Sequence, residues 1–307
     1  MRVLVTGATG FVGGNLVPAL VDAGHEVVAL VRDASRYEGP DEAEVVVGDL
    51  LDYESLPPAF EGCDAAYYLV HSMHSGPDFE ERDRLAARHF EEAASAAGVS
   101  RVIYLGGLGE ERDQLSEHLR SRREVEHVLA GGDYDLTILR AAIIVGPGSA
   151  SFEMIRQLVE KLPVMVTPRW VRTPCQPIAI DDVVAYLVGV LDAPETTGKT
   201  YEIGGPDVLT YQEMLQTTAR VMHQRLRVVP VPVLSPELSS YWVTIVTSVP
   251  KSVARPLIEG LRNPVVCSDD RITEVVPVEL TPFETAVEHA VAAEAAASSP
   301  QPTEVRR

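Results

Sequence analysis

The sequence predicts an α/β fold in which a doubly wound parallel sheet carries a small, mostly helical C-terminal cap. Short apolar runs, typical of buried parallel strands, alternate along the chain with longer segments of helical periodicity. The first fourteen residues, MRVLVTGATGFVGG, read as a strand, a glycine turn and the start of a helix. With 307 residues and 46% hydrophobic composition, the chain can bury one large core. Together these features predict a Rossmann-type sheet.

The composition limits which partners the protein is expected to bind and in which cellular compartment it is expected. The 26 basic and 45 acidic residues give a net charge of −19, which repels nucleic-acid phosphates and excludes nucleic acid as a partner. Cys63, Cys175 and Cys267 lie far apart without a C-x-x-C motif, so we expect neither a disulfide framework nor a zinc site. No stretch is long and apolar enough to span a membrane, and no basic leader precedes the first strand. We expect a cytoplasmic protein, associated with a membrane only through a partner. The acidic, lysine-poor composition resembles halophilic proteins, with an acidic protein from a GC-rich genome as the alternative.

The glycine turn after the first predicted strand has the spacing of a phosphate-binding turn. Gly7 lets the chain leave the strand tightly, Gly10 removes a side chain where a pyrophosphate approaches, and Gly13 lets the helix pack closely. The helix then points free N–H groups and its positive dipole end at the phosphates. An ordinary glycine-rich turn is the alternative. The predicted dinucleotide contacts in this turn are Gly7, Thr9, Gly10, Phe11, Val12 and Gly13.

The run VTGATGFVG, residues 5–13, resembles the extended and atypical short-chain dehydrogenase/reductases. Residues 1–205 look like the NAD(P)H-binding members related to the accessory dinucleotide-binding subunit of respiratory complex I and to NmrA-like proteins. The stretch SSYWVTIVTSVPKSVARPLIEGLRN, residues 239–263, looks like the C-terminal region of the same group. The resemblance implies tight binding of NAD(P) and, in many members, a degenerate catalytic triad.

The end of the second predicted strand (27–31) bears on the choice between NAD and NADP. In dinucleotide folds this position reads the adenosine ribose. An arginine there accepts the 2′-phosphate of NADP, whereas an acid binds the ribose hydroxyls of NAD. Arg32 comes before Asp33, and Arg36 lies one helical turn further on, so the sequence favours NADP. The alternatives are that Arg32 stacks on adenine or pairs with Asp33.

The third predicted strand (45–47) ends at a Gly-Asp-Leu sequence. The resemblance implies that Asp49 binds the adenine amino group and that the main chain of Leu50 lies close by. A turn aspartate that caps the following helix is the alternative for Asp49.

The fourth predicted strand (65–70) ends where relatives line the ribose and the nicotinamide. The resemblance therefore adds Leu69, Val70 and His71 to the predicted cofactor contacts. His71 also begins a His-x-x-His sequence with His74, but no nearby cysteine or acid completes a metal site. We predict no metal and interpret the pair as a cofactor contact or a solvated loop.

This sequence carries other residues at the positions where short-chain reductases have their catalytic ones. In relatives the fifth strand ends at a serine or threonine, and the next helix carries Tyr-x-x-x-Lys, whose ammonium lowers the pKa of the phenol. Here the fifth strand (101–106) ends in two glycines, Tyr104 lies within the strand, and the helix over about 115–130 offers His118 and Arg122. Either His118 is a substitute proton donor above Arg122, or catalysis has been lost and His118 is an ordinary surface histidine.

Three further expectations concern packing and capping. We expect Arg140 to be structural, and Asp181 or Asp182 to cap the helix that follows a short strand. The long helix over 79–97 is predicted to pack on the sheet through one face. The predicted packed face comprises Leu85, Phe90, Ala93 and Ala97.

The chain is divided into an NAD(P)-binding domain (1–205), a C-terminal cap (206–292) and a disordered tail (293–307). The remaining predicted elements are strands over 134–140 and 199–205, an edge strand over 228–233, and helices over 150–162, 210–222, 234–249, 251–261 and 282–292.

The leading functional hypothesis is an NAD(P)H-binding atypical short-chain reductase acting on a quinone or a small carbonyl compound. Its proton would come from His118 or from water. A non-catalytic redox sensor, or an assembly protein partnered with respiratory complex I, is the alternative that the missing serine and tyrosine favour. A sugar-nucleotide epimerase is the third hypothesis, although epimerases depend on the same tyrosine. No oligomeric state is predicted.

Overall fold

Seven parallel strands form the centre of the computed structural model, which describes residues 1–71, 78–109, 117–231 and 263–298. Within those residues, shorter strands pair into two-stranded sheets beside the central one. In chain order the strands are β1 (Arg2–Thr6), β2 (Glu26–Val31), β3 (Glu44–Val47), β4 (Ala65–Tyr68), β5 (Arg101–Gly107), β6 (Asp135–Ala141), β7 (Ile144–Val145), β8 (Val164–Pro168), β9 (Pro174–Cys175), β10 (Ile178–Ala179), β11 (Thr200–Ile203), β12 (Leu209–Thr210) and β13 (Arg227–Val231).

α-Helices connect most successive strands of the central sheet and continue into the C-terminal region, whereas β2 and β3 are joined through a short 3-10 helix. The α-helices of the described residues are α1 (Phe11–Asp22), α2 (Pro57–Phe60), α3 (Phe79–Ala97), α4 (Glu117–Leu129), α5 (Ala150–Lys161), α6 (Ile180–Asp192), α7 (Tyr211–Val221), α8 (Ile272–Val275) and α9 (Phe283–Ser298).

The chain enters the central sheet in its middle. The strand order is β11-β6-β5-β4-β1-β2-β3, so β1 pairs in parallel with β2 on one side and with β4 on the other. The chain therefore builds the sheet outward to β3 and then returns across β1 to start the other half at β4. In open α/β sheets, dinucleotides bind outside the carboxyl ends of the strands at this reversal. The predicted Rossmann-type sheet is confirmed.

Side chains alternate between two helix-covered faces of the sheet. On β1, Val3 and Val5 belong to a core shared with α1 and α6, whereas Leu4 belongs to the opposite core, shared with α2, α3 and α4. All three side chains are fully buried. Because both faces are covered, the strands are continuous apolar runs, and this is the pattern that made them recognisable in the sequence.

A separate core lies among the C-terminal helices. Phe152 of α5, Met214 of α7 and Val287 of α9 are buried in it together. α7 begins at the predicted cap, where Thr210 Oγ1 accepts from Glu213 N and the Glu213 carboxylate accepts from Thr210 N. The helical character of this region is confirmed, and the domain boundaries remain predictions.

Several predicted boundaries move. β4 ends at Tyr68, so the two residues after it follow the strand instead of belonging to it. α9 continues to Ser298, because its alanine-rich sequence favours helix, and the start of the predicted disordered tail is therefore helical. The predicted edge strand is β13, which pairs with β8. The predicted helices over 234–249 and 251–261, and residues 299–307, lie outside the described residues.

Among the helices that the structure describes, none combines the length and the apolar character needed to cross a bilayer.

Candidate functional site

The glycine turn between β1 and α1 leaves backbone N–H groups open. Gly7 adopts a positive φ of 70°, a conformation that favours glycine. Gly10 is the N-cap of α1 and supplies no side-chain cap, and its N–H donates to Gly7 O at 2.9 Å. The helical ladder starts with Gly14 N, which donates to Gly10 O at 2.8 Å. The N–H groups of residues 11–13 therefore have no partner within the helix.

This turn fits a diphosphate. A Cβ on Gly10 would stand 3.1 Å from Gly7 O, and a Cβ on Gly13 would stand 2.8 Å from Gly7 C, so side chains are crowded at the first and excluded at the second. The first turn of α1 contains no acidic residue that would repel an anion. Thr9 is exposed at the turn, and Phe11 is half-buried beside it, as is the next residue, Val12. Open N–H groups and the positive end of the helix dipole can bind phosphate oxygens here.

The end of β4 forms one wall of this turn. A Cβ on Gly7 would stand 3.1 Å from Leu69 O and 3.4 Å from Val70 Cγ2. Thr6 Oγ1 fixes the approach, because it donates to Tyr67 O at 2.9 Å and accepts from Leu69 N at 3.2 Å. The predicted contacts at the end of β4 therefore lie directly beside the predicted phosphate turn.

The end of β2 presents two arginines to solvent. Arg32 and Arg36 are both exposed. Asp33 lies between them and accepts from Ser35 Oγ at 2.7 Å and Ser35 N at 3.0 Å, hydrogen bonds that lower the pKa of this carboxyl. Within the described part of the chain Arg32 forms no ion pair with Asp33. The alternative in which these two side chains pair is therefore not observed, and the guanidinium remains exposed to solvent.

The end of β3 is held by a network of turn hydrogen bonds. Asp49 Oδ1 accepts from Leu51 N at 3.0 Å, and Asp49 N donates to Ser55 Oγ at 2.9 Å. Leu50 is buried, and its carbonyl oxygen lies 2.8 Å from His89 Nδ1. Asp49 therefore accepts a local turn hydrogen bond, but it does not cap the helices that follow, whose N-caps are Asp52 and Leu56, so the predicted helix-capping alternative is wrong. A second contact of its half-buried side chain with adenine stays a prediction.

A buried cluster just past the end of β4 escaped the sequence analysis. His71 Nδ1 lies 2.7 Å from Asp83 Oδ2, and Ser121 Oγ donates to the same oxygen at 3.1 Å. Asp83 lies on α3 and is 1% exposed, and Ser121 lies on α4 and is 2% exposed. Three separate elements therefore converge on one buried carboxylate. His74, the second histidine of the predicted pair, lies outside the described residues.

The orientation of α3 explains why Asp83 was missed. The predicted packed face included Leu85 and Ala97, but Leu85 is 41% exposed and Ala97 is also exposed, so this part of the prediction is wrong. The buried face instead runs through Asp83, Ala86 and Phe90. Asp83 lies three residues before Ala86 and seven before Phe90, and this helical spacing is the signal that could have found it.

The predicted catalytic pair on α4 is described only in part. His118 lies in the first turn of α4, and its side chain is outside the described residues. The Arg122 guanidinium lies 5.5 Å from the centre of the Tyr104 ring, and Tyr104 Oη donates to Arg122 O at 3.3 Å. Burial raises the pKa of Tyr104 to about 12. As expected, Tyr104 is part of the core, where its ring packs 5.9 Å from that of Tyr68.

A buried ion-pair network occupies the place of the missing hydroxyl at the end of β5. A Cβ on Gly106 would stand 2.8 Å from Glu126 Oε1. Glu126 accepts from Arg123 Nη1 at 3.0 Å and from Arg140 Nε at 3.1 Å. The structural role expected of Arg140 is confirmed. A side chain at position 106 would meet the Glu126 carboxylate, which would have to move from its two arginine partners to admit it.

The predicted capping role of Asp181 and Asp182 is wrong. The N-cap of α6 is Ala179, which makes no side-chain cap. Asp182 is buried and instead accepts from Thr281 N and from Thr281 Oγ1, both at 2.8 Å. It ties α6 to the turn before α9, a contact between residues too distant in sequence for any local pattern to predict.

Among the described residues, no three His, Cys, Asp or Glu side chains are grouped so as to hold a metal ion.

Comparisons with known proteins agree with this geometry. The chain is 30% identical over 233 residues to the (4-alkanoyl-5-oxo-2,5-dihydrofuran-3-yl)methyl phosphate reductase of Streptomyces griseus, covering 73% of this chain and 75% of that protein. It is 28% identical over 239 residues to the mitochondrial NADH dehydrogenase [ubiquinone] 1 alpha subcomplex subunit 9 of Arabidopsis thaliana, covering 73% of this chain and 57% of that protein.

A solved structure supports the fold. The Citrobacter sp. triphenylmethane reductase complexed with NADP(H) matches with a TM-score of 0.76 and 23% identity, covering 94% of this chain and 99% of that chain. A family model described as NAD(P)H-binding matches residues 7–162, just over half of the chain, and this range includes the glycine turn and the end of β4. The chain therefore belongs to the NAD(P)H-binding family of atypical short-chain dehydrogenase/reductases.

Proposed function

We propose that this protein is an NAD(P)H-dependent reductase of a quinone or a small carbonyl compound. The observation that carries the proposal is the open glycine turn at the switch point of the sheet, set directly against the end of β4. When bound, a reduced nicotinamide supplies the two electrons and the hydrogen that reduce the substrate. The reductase named among the relatives supports this reaction class.

The proposed cofactor contacts follow the carboxyl ends of four neighbouring strands. Main-chain N–H groups at the turn would hold the diphosphate, the arginines after β2 the ribose phosphate, and the ends of β3 and β4 the adenine and the nicotinamide side. The proposed contacts are Gly7, Thr9, Gly10, Phe11, Val12, Gly13, Arg32, Arg36, Asp49, Leu50, Leu69, Val70 and His71.

The test uses the full chain. We expect NADPH and NADH each to give measurable heat on calorimetric titration and to raise the melting temperature, because both share the diphosphate. A panel of quinones and small carbonyl compounds is then assayed for oxidation of the better-bound cofactor. Absence of heat and of a thermal shift with both nicotinamides would overturn the proposal.

Arg32→Ala tests the proposed preference for NADP. We expect the affinity for NADPH to fall about tenfold or more, because an arginine–phosphate hydrogen bond is worth roughly 1.5–3 kcal/mol. The affinity for NADH should stay within about twofold, because NADH lacks the 2′-phosphate. Arg88→Ala removes an exposed arginine from α3 and serves as the control for net charge. Unchanged NADPH affinity in Arg32→Ala would refute the assignment.

Proton delivery by His118, with Arg122 on the next turn of α4, remains a prediction. Substituting His118 should then remove turnover while leaving cofactor affinity intact.

A second candidate function is non-catalytic: a redox sensor, or an assembly protein of respiratory complex I, that binds NAD(P)H. Gly106 favours it, because this strand end carries no hydroxyl and a Cβ there would stand 2.8 Å from Glu126 Oε1. The similarity to the Arabidopsis complex I subunit also supports it. Co-purification with membrane respiratory subunits, together with no turnover on any carbonyl or quinone, would favour this function over the reductase.

A further inference from the structure

We propose that His71, oriented by the buried carboxylate of Asp83, donates the proton to the substrate oxygen, in place of His118. This inference rests on the proposed reductase function. It makes Asp83 a positioning residue, because Asp83 acts through the imidazole and not on the substrate.

The position of His71 in the fold supports this role. It lies three residues past the end of β4, and the two residues before it form the wall of the glycine turn. Its side chain is 15% exposed, so the ring is partly accessible while it is held from behind. The Phe79 ring at the start of α3 packs against it edge-on, with ring centres 6.3 Å apart. His71 therefore lies at the carboxyl edge of the sheet, next to the proposed cofactor site.

The Asp83 carboxylate fixes the state of the imidazole. His71 Nδ1–H donates to Asp83 Oδ2 across 2.7 Å, which assigns the Nδ1 proton and leaves Nε2 as the atom that gains and loses a proton. Ser121 Oγ donates to the same oxygen and keeps the carboxylate in place. The Asp83 side chain is only 2% exposed, so water screens its charge weakly, and that charge favours the imidazolium.

The buried phenols near Asp83 do not compete for the proton near neutral pH. Among the described residues these are Tyr68 and Tyr104, whose pKa values the charge of Asp83 helps to raise. Burial, and next the charge of Asp83, raises the pKa of Tyr68, and burial raises the pKa of Tyr104 to about 12. Both phenols therefore stay protonated.

The proton transfer balances in a single step. An O–H bond forms to the substrate oxygen while the Nε2–H bond of the imidazolium breaks, and the electron pair of that bond stays on Nε2. The imidazole becomes neutral and takes its next proton from solvent. The reducing electrons come from the NAD(P)H co-reactant of the proposed function, and His71 changes only its protonation state.

The pH dependence has a defined sign. The donor is competent while His71 is protonated, so kcat is lost as the pH rises through the titration of His71. Replacing Asp83 by Asn removes the charge that favours the cation, so this loss should begin at lower pH. If His118 is the donor instead, His118→Gln loses kcat and His71→Gln keeps it.

The experiment compares full-length His71→Gln, Asp83→Asn, Ser121→Ala and His118→Gln, with His127→Gln as the matched control at an exposed histidine of α4. NADPH affinity and kcat across pH are measured for every variant. The titration of the His71 ring is followed by NMR without cofactor, in wild type and in the variants that keep His71. We expect His71→Gln to lose about 100-fold or more in kcat at saturating NADPH, so that a weaker cofactor contact does not enter the comparison, and we expect His127→Gln to match wild type. We expect the His71 ring of Asp83→Asn to titrate at lower pH, because the amide carries no charge. If that variant does not fold, Ser121→Ala removes a hydrogen bond that stabilises the carboxylate, and the ring should then titrate at higher pH.

Two outcomes separate the two proposals. If His71→Gln turns over every active substrate as well as wild type does, the role of His71 is overturned and the reductase function stands. If wild type itself reduces nothing in the panel, the reductase function falls, and the role of His71 falls with it. An unchanged His71 titration in both Asp83→Asn and Ser121→Ala overturns the positioning role of Asp83.

Discussion

Gly13→Ala is expected to abolish NAD(P)H binding and to lower the free energy of unfolding by about 2 kcal/mol. A Cβ at this position would stand 2.8 Å from Gly7 C and 2.9 Å from Ala8 Cα. Both are main-chain atoms, so no side-chain rotation can relieve the overlap, and α1 has to move away from the turn. That movement carries the open N–H groups of the helix away from the end of β1. The loss is expected even though alanine has a higher helix propensity than glycine.

Gly14→Ala is the matched control, one residue further along α1. Its nearest contact would be Ala8 O at 3.8 Å, an ordinary van der Waals distance. We expect unchanged NADPH affinity and a gain in stability of up to about 1 kcal/mol, since an alanine in a helix interior loses less entropy than a glycine. Calorimetric titration with NADPH and urea unfolding measure both effects. A Gly13→Ala variant as stable as wild type, with wild-type affinity, would contradict the proposed packing of the turn.

The glycine turn could be predicted because its information is local. The positive φ of Gly7, and the close approach of Gly10 and Gly13 to the main chain of Gly7, both arise within the turn itself, and the apolar runs on either side define the strand and the helix. The same holds for the ends of β2 and β4, because the carboxyl ends of parallel strands meet at one edge of the sheet. Local sequence was therefore enough for the fold and for one side of the candidate cofactor site.

The cluster of His71, Asp83 and Ser121 depends on packing between segments that are distant in the sequence. Asp83 meets His71 and Ser121 only because α3 turns its Asp83 face to the sheet and leaves Leu85 in solvent. A helix face that is misplaced by one residue is rotated by about 100°, so only part of the prediction holds: Phe90 and Ala93 are buried as predicted, whereas Leu85 is exposed. Asp182 and its partner Thr281 are likewise joined only by the packing of α6 against the turn before α9. No spacing rule in a single sequence links such residues.

Glu126→Gln is expected to lower the free energy of unfolding by about 3 kcal/mol, because it removes one partner from a buried charge network. The Glu126 side chain is 7% exposed and lies between Arg123, on the same helix, and Arg140, on β6. The amide keeps the shape of the carboxylate but lacks its charge, and its NH2 group faces a donor that needs an acceptor. Two cations, 14% and 22% exposed, are then left without their full countercharge.

Glu124→Gln is the control for this substitution, two residues earlier on α4. Its partner Arg84 lies 3.3 Å away, and the two side chains are 40% and 42% exposed, so water screens the pair and a change of at most about 0.5 kcal/mol is expected. Urea unfolding at low and high salt compares the two variants. The loss in Glu126→Gln should persist at high salt, because a buried pair is screened less than an exposed one. Equal effects of the two substitutions would show that the ion pairs of Glu126 with Arg123 and Arg140 do not hold α4 to the sheet. The glycine at position 106 would then need an explanation other than this network.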